Sequence, residues 1–359
     1  MNKAAAWVQQ LVREEIRALS AYHVPGAAGM IKLDAMENPY RLPDAVRAEI
    51  GRVVADALIN RYPDPSAPEL AGALRRSFHI PNGAGLLIGN GSDEIITIVT
   101  QTLAKPGAVM LSPDPSFAMF RMNALFSHMR FVGVPLKADF SLDAARFIAA
   151  LEEHKPALVF LAYPNNPTGN LYPEDDVVRI LRAAPGLVVL DEAYFAFAGK
   201  SFMPRLAEFP NLIVMRTVSK IGMAGLRLGY AAAAPELMAE FNKVRPPYNV
   251  GIATQLIATV LLGHIDLLND QAGKIRAERA VLAAGLAKLS GVHIYPSEAN
   301  FILVRVSDGP ALFESLKTQN VLVKNFHGSH PMLANCLRLT VGTPEENATM
   351  LKALAHGLH

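Results

Sequence analysis

Leu187-Val188-Val189-Leu190-Asp191-Glu192-Ala193-Tyr194, residues 187–194, sets an unbroken apolar run against an abrupt polar end. Four aliphatic residues without alternation predict a strand covered on both faces, as in a mainly parallel sheet packed between helices. The aspartate that ends the run sits where such sheets bind ligands, beyond the carboxyl ends of their strands. A buried carboxylate without a partner is costly, so Asp191 needs one. An arginine or a helix cap answers that need structurally. A protonated pyridine nitrogen answers it chemically, because a charged ring is an electron sink.

Working outward, short apolar runs recur at 86–88, 108–111, 158–162 and 212–215, with helical periods between several of them at 93–103, 142–153 and 175–183. This alternation predicts an α/β fold with helices on both faces of the sheet. Upstream, the spacing predicts a helix over 43–59 with Pro43 in its first turn, and another near Ser66, where Ser66 and Glu69 fit a capping box. A long helical pattern over 264–289 leads to a second unit, with strands at 301–306, 321–323 and 337–341 and helices starting near Pro310 and Pro344. Thr343, Pro344 and Glu346 form its second cap signature. The expected division is an N-terminal helix and irregular arm (1–40, the arm over 22–40), a large domain (41–270) and a small α+β domain (271–359) that the N-terminal segment helps complete.

Half of the 359 residues are hydrophobic and 18% are charged, which predicts a filled core and excludes disorder. A net charge of +2 without a basic run argues against nucleic acid as a partner. Residues 1–19 read as an amphipathic helix rather than a signal peptide, and no apolar run is long enough to span a bilayer, so no membrane role is expected. The single cysteine, Cys336, excludes a disulfide framework, suits a reducing cytoplasm and reads as a small buried hydrophobe. His327 and His330 flank a loop without nearby acidic or cysteine ligands, so no metal is assigned.

Three further strand ends carry chemistry. Arg216-Thr217-Val218-Ser219-Lys220 follows the run at 212–215 and precedes the glycine-rich segment Gly222-Met223-Ala224-Gly225-Leu226-Arg227-Leu228-Gly229. A lysine is by default a solvated charge. This one lies where the backbone can approach an anion, with Ser219 and Arg227 as candidate phosphate ligands. Apolar or cationic neighbours would lower its pKa far enough for imine chemistry. Tyr163-Pro164-Asn165-Asn166-Pro167-Thr168-Gly169 follows the run at 158–162 and is explicable as turn chemistry alone. Gly89-Asn90-Gly91-Ser92-Asp93-Glu94 places backbone N–H groups at a helix N-terminus, suited to a phosphate. It lacks the third glycine of a dinucleotide fingerprint and any Gly-Lys-Ser/Thr.

Taken in order, these elements resemble the fold-type I pyridoxal-phosphate (PLP) aminotransferases over nearly the whole chain. The local wording is closer still to that of the histidinol-phosphate aminotransferase subfamily. Asp34-Ala35-Met36-Glu37-Asn38-Pro39, Arg61-Tyr62-Pro63-Asp64, Gly91-Ser92-Asp93-Glu94, Ser219-Lys220 with Ala224-Gly225-Leu226-Arg227, and Leu337-Arg338-Leu339-Thr340-Val341-Gly342-Thr343 carry that likeness. The resemblance implies that Lys220 holds PLP as a Schiff base and later moves protons, and that Asp191 pairs with the pyridine nitrogen. By it, Tyr194 and Asn166 hydrogen-bond the ring hydroxyl, while Ser92, Asp93, Ser219 and Arg227 surround the phosphate and Phe117 stacks on the ring. It further implies a homodimer, with the N-terminal arm at the interface and Tyr62 reaching the neighbour's phosphate. Arg338, Lys324 and Asn38 would bind substrate.

Two positions depart from the pattern. Phe117 stands where many relatives have tyrosine, and Lys324 where they often have arginine, keeping the charge but not the bidentate fork. The implied activity is amino exchange between glutamate/2-oxoglutarate and histidinol phosphate/imidazole-acetol phosphate in histidine biosynthesis. Arg338 would serve both the carboxylate and the phosphate. Aminotransferases for aromatic or other amino acids, and PLP decarboxylases of phosphorylated amino acids, share the cofactor residues. A regulator keeping this fold would need an attached DNA-binding module.

Overall fold

The computed structural model describes residues 2–21 and 26–358; residues 22–25 of the expected irregular arm lie outside the described residues. The strands, in chain order, are β1 (Ile31–Lys32), β2 (Gly85–Gly89), β3 (Val109–Asp114), β4 (Arg130–Pro135), β5 (Leu158–Ala162), β6 (Leu187–Asp191), β7 (Leu212–Thr217) and β8 (Gly229–Ala233), followed by β9 (His293–Ile294), β10 (Phe301–Arg305), β11 (Val321–Leu322), β12 (Lys324–Asn325) and β13 (Cys336–Thr340). Strands β2 to β8 form a seven-stranded sheet in the order β2-β8-β7-β6-β5-β3-β4. The pairs from β7 through β6, β5 and β3 to β4 are parallel, and β8 is antiparallel to both neighbours. The apolar run that predicts this sheet, β6, is its middle strand, and every residue of β5 and β7 is buried. Apolar clusters cover both faces, one around Leu190, Val214 and Phe147 and the other around Val189, Ile213 and Phe120. The fold is the expected α/β architecture, a mainly parallel sheet packed between helices.

The second unit packs helices Gly309–Thr318 and Pro344–Gly357 with a four-stranded antiparallel sheet in the order β12-β13-β10-β9. Strand β1 of the N-terminal arm pairs in parallel with β11, so the arm shares this unit's core through Leu33 and Met36. The division expected at 270 falls inside helix Ile265–Leu286. Along that helix, Leu268 joins the core of the large sheet, whereas Ala272, Ile275, Leu282 and Leu286 join that of the small one.

Several local expectations need correction. The N-terminal stretch is two helices, Lys3–Leu11 and Glu14–Arg17, separated by extended backbone at Val12 and Arg13. Neither helix has a buried residue, and the Arg13 guanidinium is drawn to His128 (2.6 Å) and the Leu125 carbonyl (3.4 Å) instead of continuing the helix. The helix at 43–59 is Asp44–Ala55, with Pro43 as N-cap rather than in the first turn. Ser66 does not cap. Its hydroxyl donates to Asp64 (2.6 Å), and Ala67 in the left-handed region opens helix Pro68–Phe78. At Thr343 and Glu346 the capping box is present with both bonds formed. Strands β4 and β8 are further differences: edge strand β4 is only partly buried and has no unbroken apolar run, and at β8 the sequence marks only the end of a glycine-rich loop, because Tyr-Ala-Ala-Ala-Ala lacks the branched residues typical of strands.

Candidate functional site

Side chains at the ends of β5, β6 and β7 converge on one cleft lined by Met36, Ser92, Asp93, Phe117, Asn166, Asp191, Tyr194, Thr217, Ser219, Lys220 and Arg227. Nine of these are the residues that the sequence singles out, now brought together: Ser92, Asp93, Phe117, Asn166, Asp191, Tyr194, Ser219, Lys220 and Arg227. Their separation along the chain is bridged by the parallel register, which aligns Ala162 with Asp191 and Asp191 with Met215.

Asp191 is buried, and one of its oxygens accepts from the Ala193 N–H at 3.1 Å. Burial is the main cause that pushes its carboxyl up to about 7. The nearby Asp93 and Glu192 add to the shift, and Lys220 opposes it. No lysine or arginine among the described residues forms an ion pair with it. Lys220 lies just past β7, in a tight turn eased by Gly222 at φ +133°. Its Nζ donates to the Ala35 carbonyl at 3.0 Å. Burial foremost, then the Arg338 charge, brings its amine down to about 8. The Tyr194 hydroxyl donates to Met36 Sδ at 3.0 Å, and burial raises its pKa.

The floor of the cleft has the geometry to hold an anion. Gly91, at φ +81°, turns the chain into helix Ser92–Leu103, whose first N–H groups are free of helical partners. A Cβ on Gly229 would lie 2.5 Å from the Ser92 nitrogen, so β8 can come this close only as glycine. Thr217 Oγ1 donates to Ser219 Oγ at 2.8 Å, and Arg227 pairs with Asp93 at 3.2 Å beside Gly91. Phe117 forms one wall as the N-cap of helix Ala118–Phe126, edge-on to Phe120.

Arg338 is buried on β13. Its Nη1 donates to Asn166 Oδ1 (2.6 Å) and its Nη2 to the Asp34 carbonyl (2.8 Å). Lys324 sits directly opposite Arg338 in the β12–β13 ladder, so two cations share one face of the small sheet. Asn38 serves to tie the arm to the Lys220 turn, its amide donating to the Ile221 carbonyl (3.0 Å) and to Gln271 (2.9 Å). Tyr62 lies outside the cleft, 80% exposed and stacked on Tyr248 with centroids 4.4 Å apart.

Met36 is a cleft residue that the sequence does not single out. It sits at φ +55°, held by the Thr340 hydroxyl, which accepts from its N–H, and by the Asn300 amide, which donates to its carbonyl. The string 34–39 contains it, but nothing local reveals that this segment crosses above Lys220. Arg216 and Glu192, buried behind the sheet, likewise stand out in the sequence only as parts of their motifs.

The model of the family "Aminotransferase class I and II" matches residues 28–354. A histidinol-phosphate aminotransferase of Chromobacterium violaceum is 57% identical, covering 97% of this chain and 98% of its own. Histidinol-phosphate aminotransferase 1 of Ralstonia nicotianae is 53% identical, covering 97% and 95%. Among solved structures, the histidinol-phosphate aminotransferase of Sinorhizobium meliloti in complex with pyridoxal-5'-phosphate superposes with a TM-score of 0.86 at 26% identity, covering 97% of each chain.

Proposed function

The chain belongs to the class I and II aminotransferases, among the histidinol-phosphate aminotransferases, and on that premise we propose that it exchanges an amino group between glutamate/2-oxoglutarate and histidinol phosphate/imidazole-acetol phosphate in histidine biosynthesis. It is a PLP-dependent transaminase acting on small molecules. The residues fit the cofactor. Asp191 is a buried carboxylate without a cationic partner among the described residues, and Gly229 lets β8 pack directly against the Ser92 nitrogen while Gly91 lets the Arg227 guanidinium come up beside the helix N-terminus.

In this reading Lys220 anchors PLP, Asp191 faces the pyridine nitrogen and Phe117 covers the ring. Tyr194 and Asn166 reach the ring hydroxyl, and Ser92, Asp93, Ser219 and Arg227 hold the phosphate. When bound, PLP supplies a ring that accepts the electron pair left at the substrate α-carbon. Asp191, ionised, keeps the ring nitrogen protonated. Lys220 Nζ takes the proton from the substrate α-carbon, a role suited to an amine brought down to about 8. Arg338 orients the substrate carboxylate while its bond to Asn166 couples that position to the ring wall. Lys324 adds a second positive charge for the phosphate, while Asn38, whose amide is spent on the Ile221 carbonyl and Gln271, supports the substrate side by holding the Lys220 turn.

The proposal extends to a cytoplasmic homodimer in which Tyr62 reaches the neighbour's phosphate. The exposure of Tyr62 beside exposed Leu58 and Ile59 supports a shared interface, and the single, buried Cys336 suits the cytoplasm. Among the described residues no single helix is long and apolar enough to cross a membrane.

The observation that carries the reading is that Lys220 and Asp191 line one cleft whose Asn166 wall is bonded to Arg338. A competition among imidazole-acetol phosphate, phenylpyruvate and 2-oxoglutarate for the aminated enzyme tests it. We expect imidazole-acetol phosphate to exceed phenylpyruvate in kcat/KM by about tenfold or more. A preference for phenylpyruvate overturns the substrate, and carbon dioxide release without amine transfer overturns the reaction.

A further inference from the structure

We infer that the buried Glu192–Arg216 ion pair is a positioning device that sets, from the far face of the large sheet, the spacing of the strand ends carrying Asp191 and Lys220. The inference rests on the reading of these two residues as cofactor groups.

Successive residues of a strand point to opposite faces. Asp191 and Thr217 line the cleft, so their neighbours Glu192 and Arg216 point behind it. There, Arg216 Nη2 and Nε lie 2.9 and 3.0 Å from Glu192 Oε2. Nη2 also donates to Ser201 Oγ (2.6 Å) and Nη1 to the Tyr230 hydroxyl (3.3 Å), while the guanidinium lies 4.2 Å from the Phe195 ring centroid. Glu192 accepts in addition from Ser201 Oγ (2.8 Å) and the Phe202 N–H (2.7 Å). Glu192 is 0% and Arg216 4% exposed.

The pair therefore joins three strand ends. Glu192 follows β6 and its Asp191. Arg216 lies in β7, which runs on into the Lys220 turn. Tyr230 lies in β8, next to the Gly229 that walls the phosphate cradle. Stability alone is a weak account of such a pair, because apolar residues of similar volume often replace buried ion pairs without loss. A planar fork satisfied at Glu192, Ser201 and Tyr230 does what apolar packing cannot: it fixes spacing and angle between the strands. Sites of this kind lose rate when a reacting group moves by about 1 Å.

Arg216→Lys keeps the charge and loses the fork. In the full-length enzyme we expect kcat to fall about 10- to 100-fold, with KM for both substrates changing by less than about threefold. In the cofactor-free protein, carbon-13 lysine NMR should show the Lys220 amine titrating upward from about 8, toward its ordinary range, as the turn loosens. The double replacement Glu192→Leu/Arg216→Met removes both charges and should recover thermal stability without recovering kcat. If Arg216→Lys does not fold, Ser201→Ala decides: kcat lowered at constant KM supports the proposal, and unchanged kcat overturns it. A folded Arg216→Lys with wild-type kcat and unshifted Lys220 titration also overturns it, as does a double variant of full activity. Failure of the cofactor reading is seen separately, as wild-type protein that gains no cofactor mass on Lys220 after borohydride.

Discussion

Lys220 and Asp191 share one physical cause and respond to it oppositely. Burial disfavours charge, so it lowers the amine to about 8 and raises the carboxyl to about 7. In the proposed role Lys220 works as a neutral base, so the rate of α-proton removal should rise with pH through about 8 and then level. Single-turnover amination by glutamate between pH 6 and 10 measures this, and a rate that keeps rising towards pH 10.5 would show an ordinary lysine. For Asp191 the sign runs the other way. A carboxyl whose folded pKa is raised costs stability once ionised, so in the cofactor-free protein this cost grows from about pH 4 and is complete above about pH 7. Asp191→Asn should therefore raise the stability of the cofactor-free protein at pH 8 by about 1–2 kcal/mol. It should lower kcat by about 10²–10³-fold, since in the proposed role this is the charge that faces the ring nitrogen. Denaturant titration and steady-state assays give the two numbers, and an equally stable, fully active Asn variant removes Asp191 from its role.

At the scale of elements, the glycines decide how closely β8 approaches the Ser92 helix. In Gly229→Ala the new methyl would meet the Ser92 nitrogen at 2.5 Å and the Gly91 carbonyl carbon at 2.7 Å, both backbone atoms that cannot rotate away. The helix N-terminus must retreat, so cofactor affinity should fall by about tenfold or more while strain costs about 1–3 kcal/mol. Equilibrium dialysis of PLP checks this, and unaltered affinity would mean that the cradle lies elsewhere. The two cap signatures show how far local patterns carry. Thr343 and Glu346 form their box, with the Thr343 hydroxyl accepting from the Glu346 N–H and the Glu346 carboxylate from the Thr343 N–H. Ser66 has Asp64 two residues before it, and that carboxylate takes its hydroxyl and N–H first.

For the whole molecule, Leu58, Ile59 and Tyr62 are 65%, 80% and 80% exposed on one loop, and Tyr248 stacks on the last of them. Clustered exposed apolar residues of this kind mark an interaction surface. Ile59→Asp should convert the proposed dimer to monomer in sedimentation and weaken PLP retention, because Tyr62 in its proposed role would lose the neighbouring site. A dimer that persists with normal retention places the interface elsewhere. The arm works at the same scale. Arg338, Lys220, Tyr194 and Asn300 donate to residues 34–36, and the Met36 N–H donates to Thr340, so a segment far away in sequence roofs the cleft.

The sequence alone determined five of the sheet's seven strands, since buried parallel strands need unbroken apolar runs and polar residues at their carboxyl ends stand out against them. It also located Lys220, Asp191, Asn166 and the Gly91 turn, because each is local to one strand end. Edge strand β4, strand β8, the split of the N-terminal helix, the roofing by Met36 and the Glu192–Arg216 clamp were decided only by tertiary structure. An alanine-rich strand carries no periodic signal, and an exposed helix has no core to hold it straight. The partner of a buried charge or of a thioether is chosen by the packing of segments far apart in the chain, which no local pattern records.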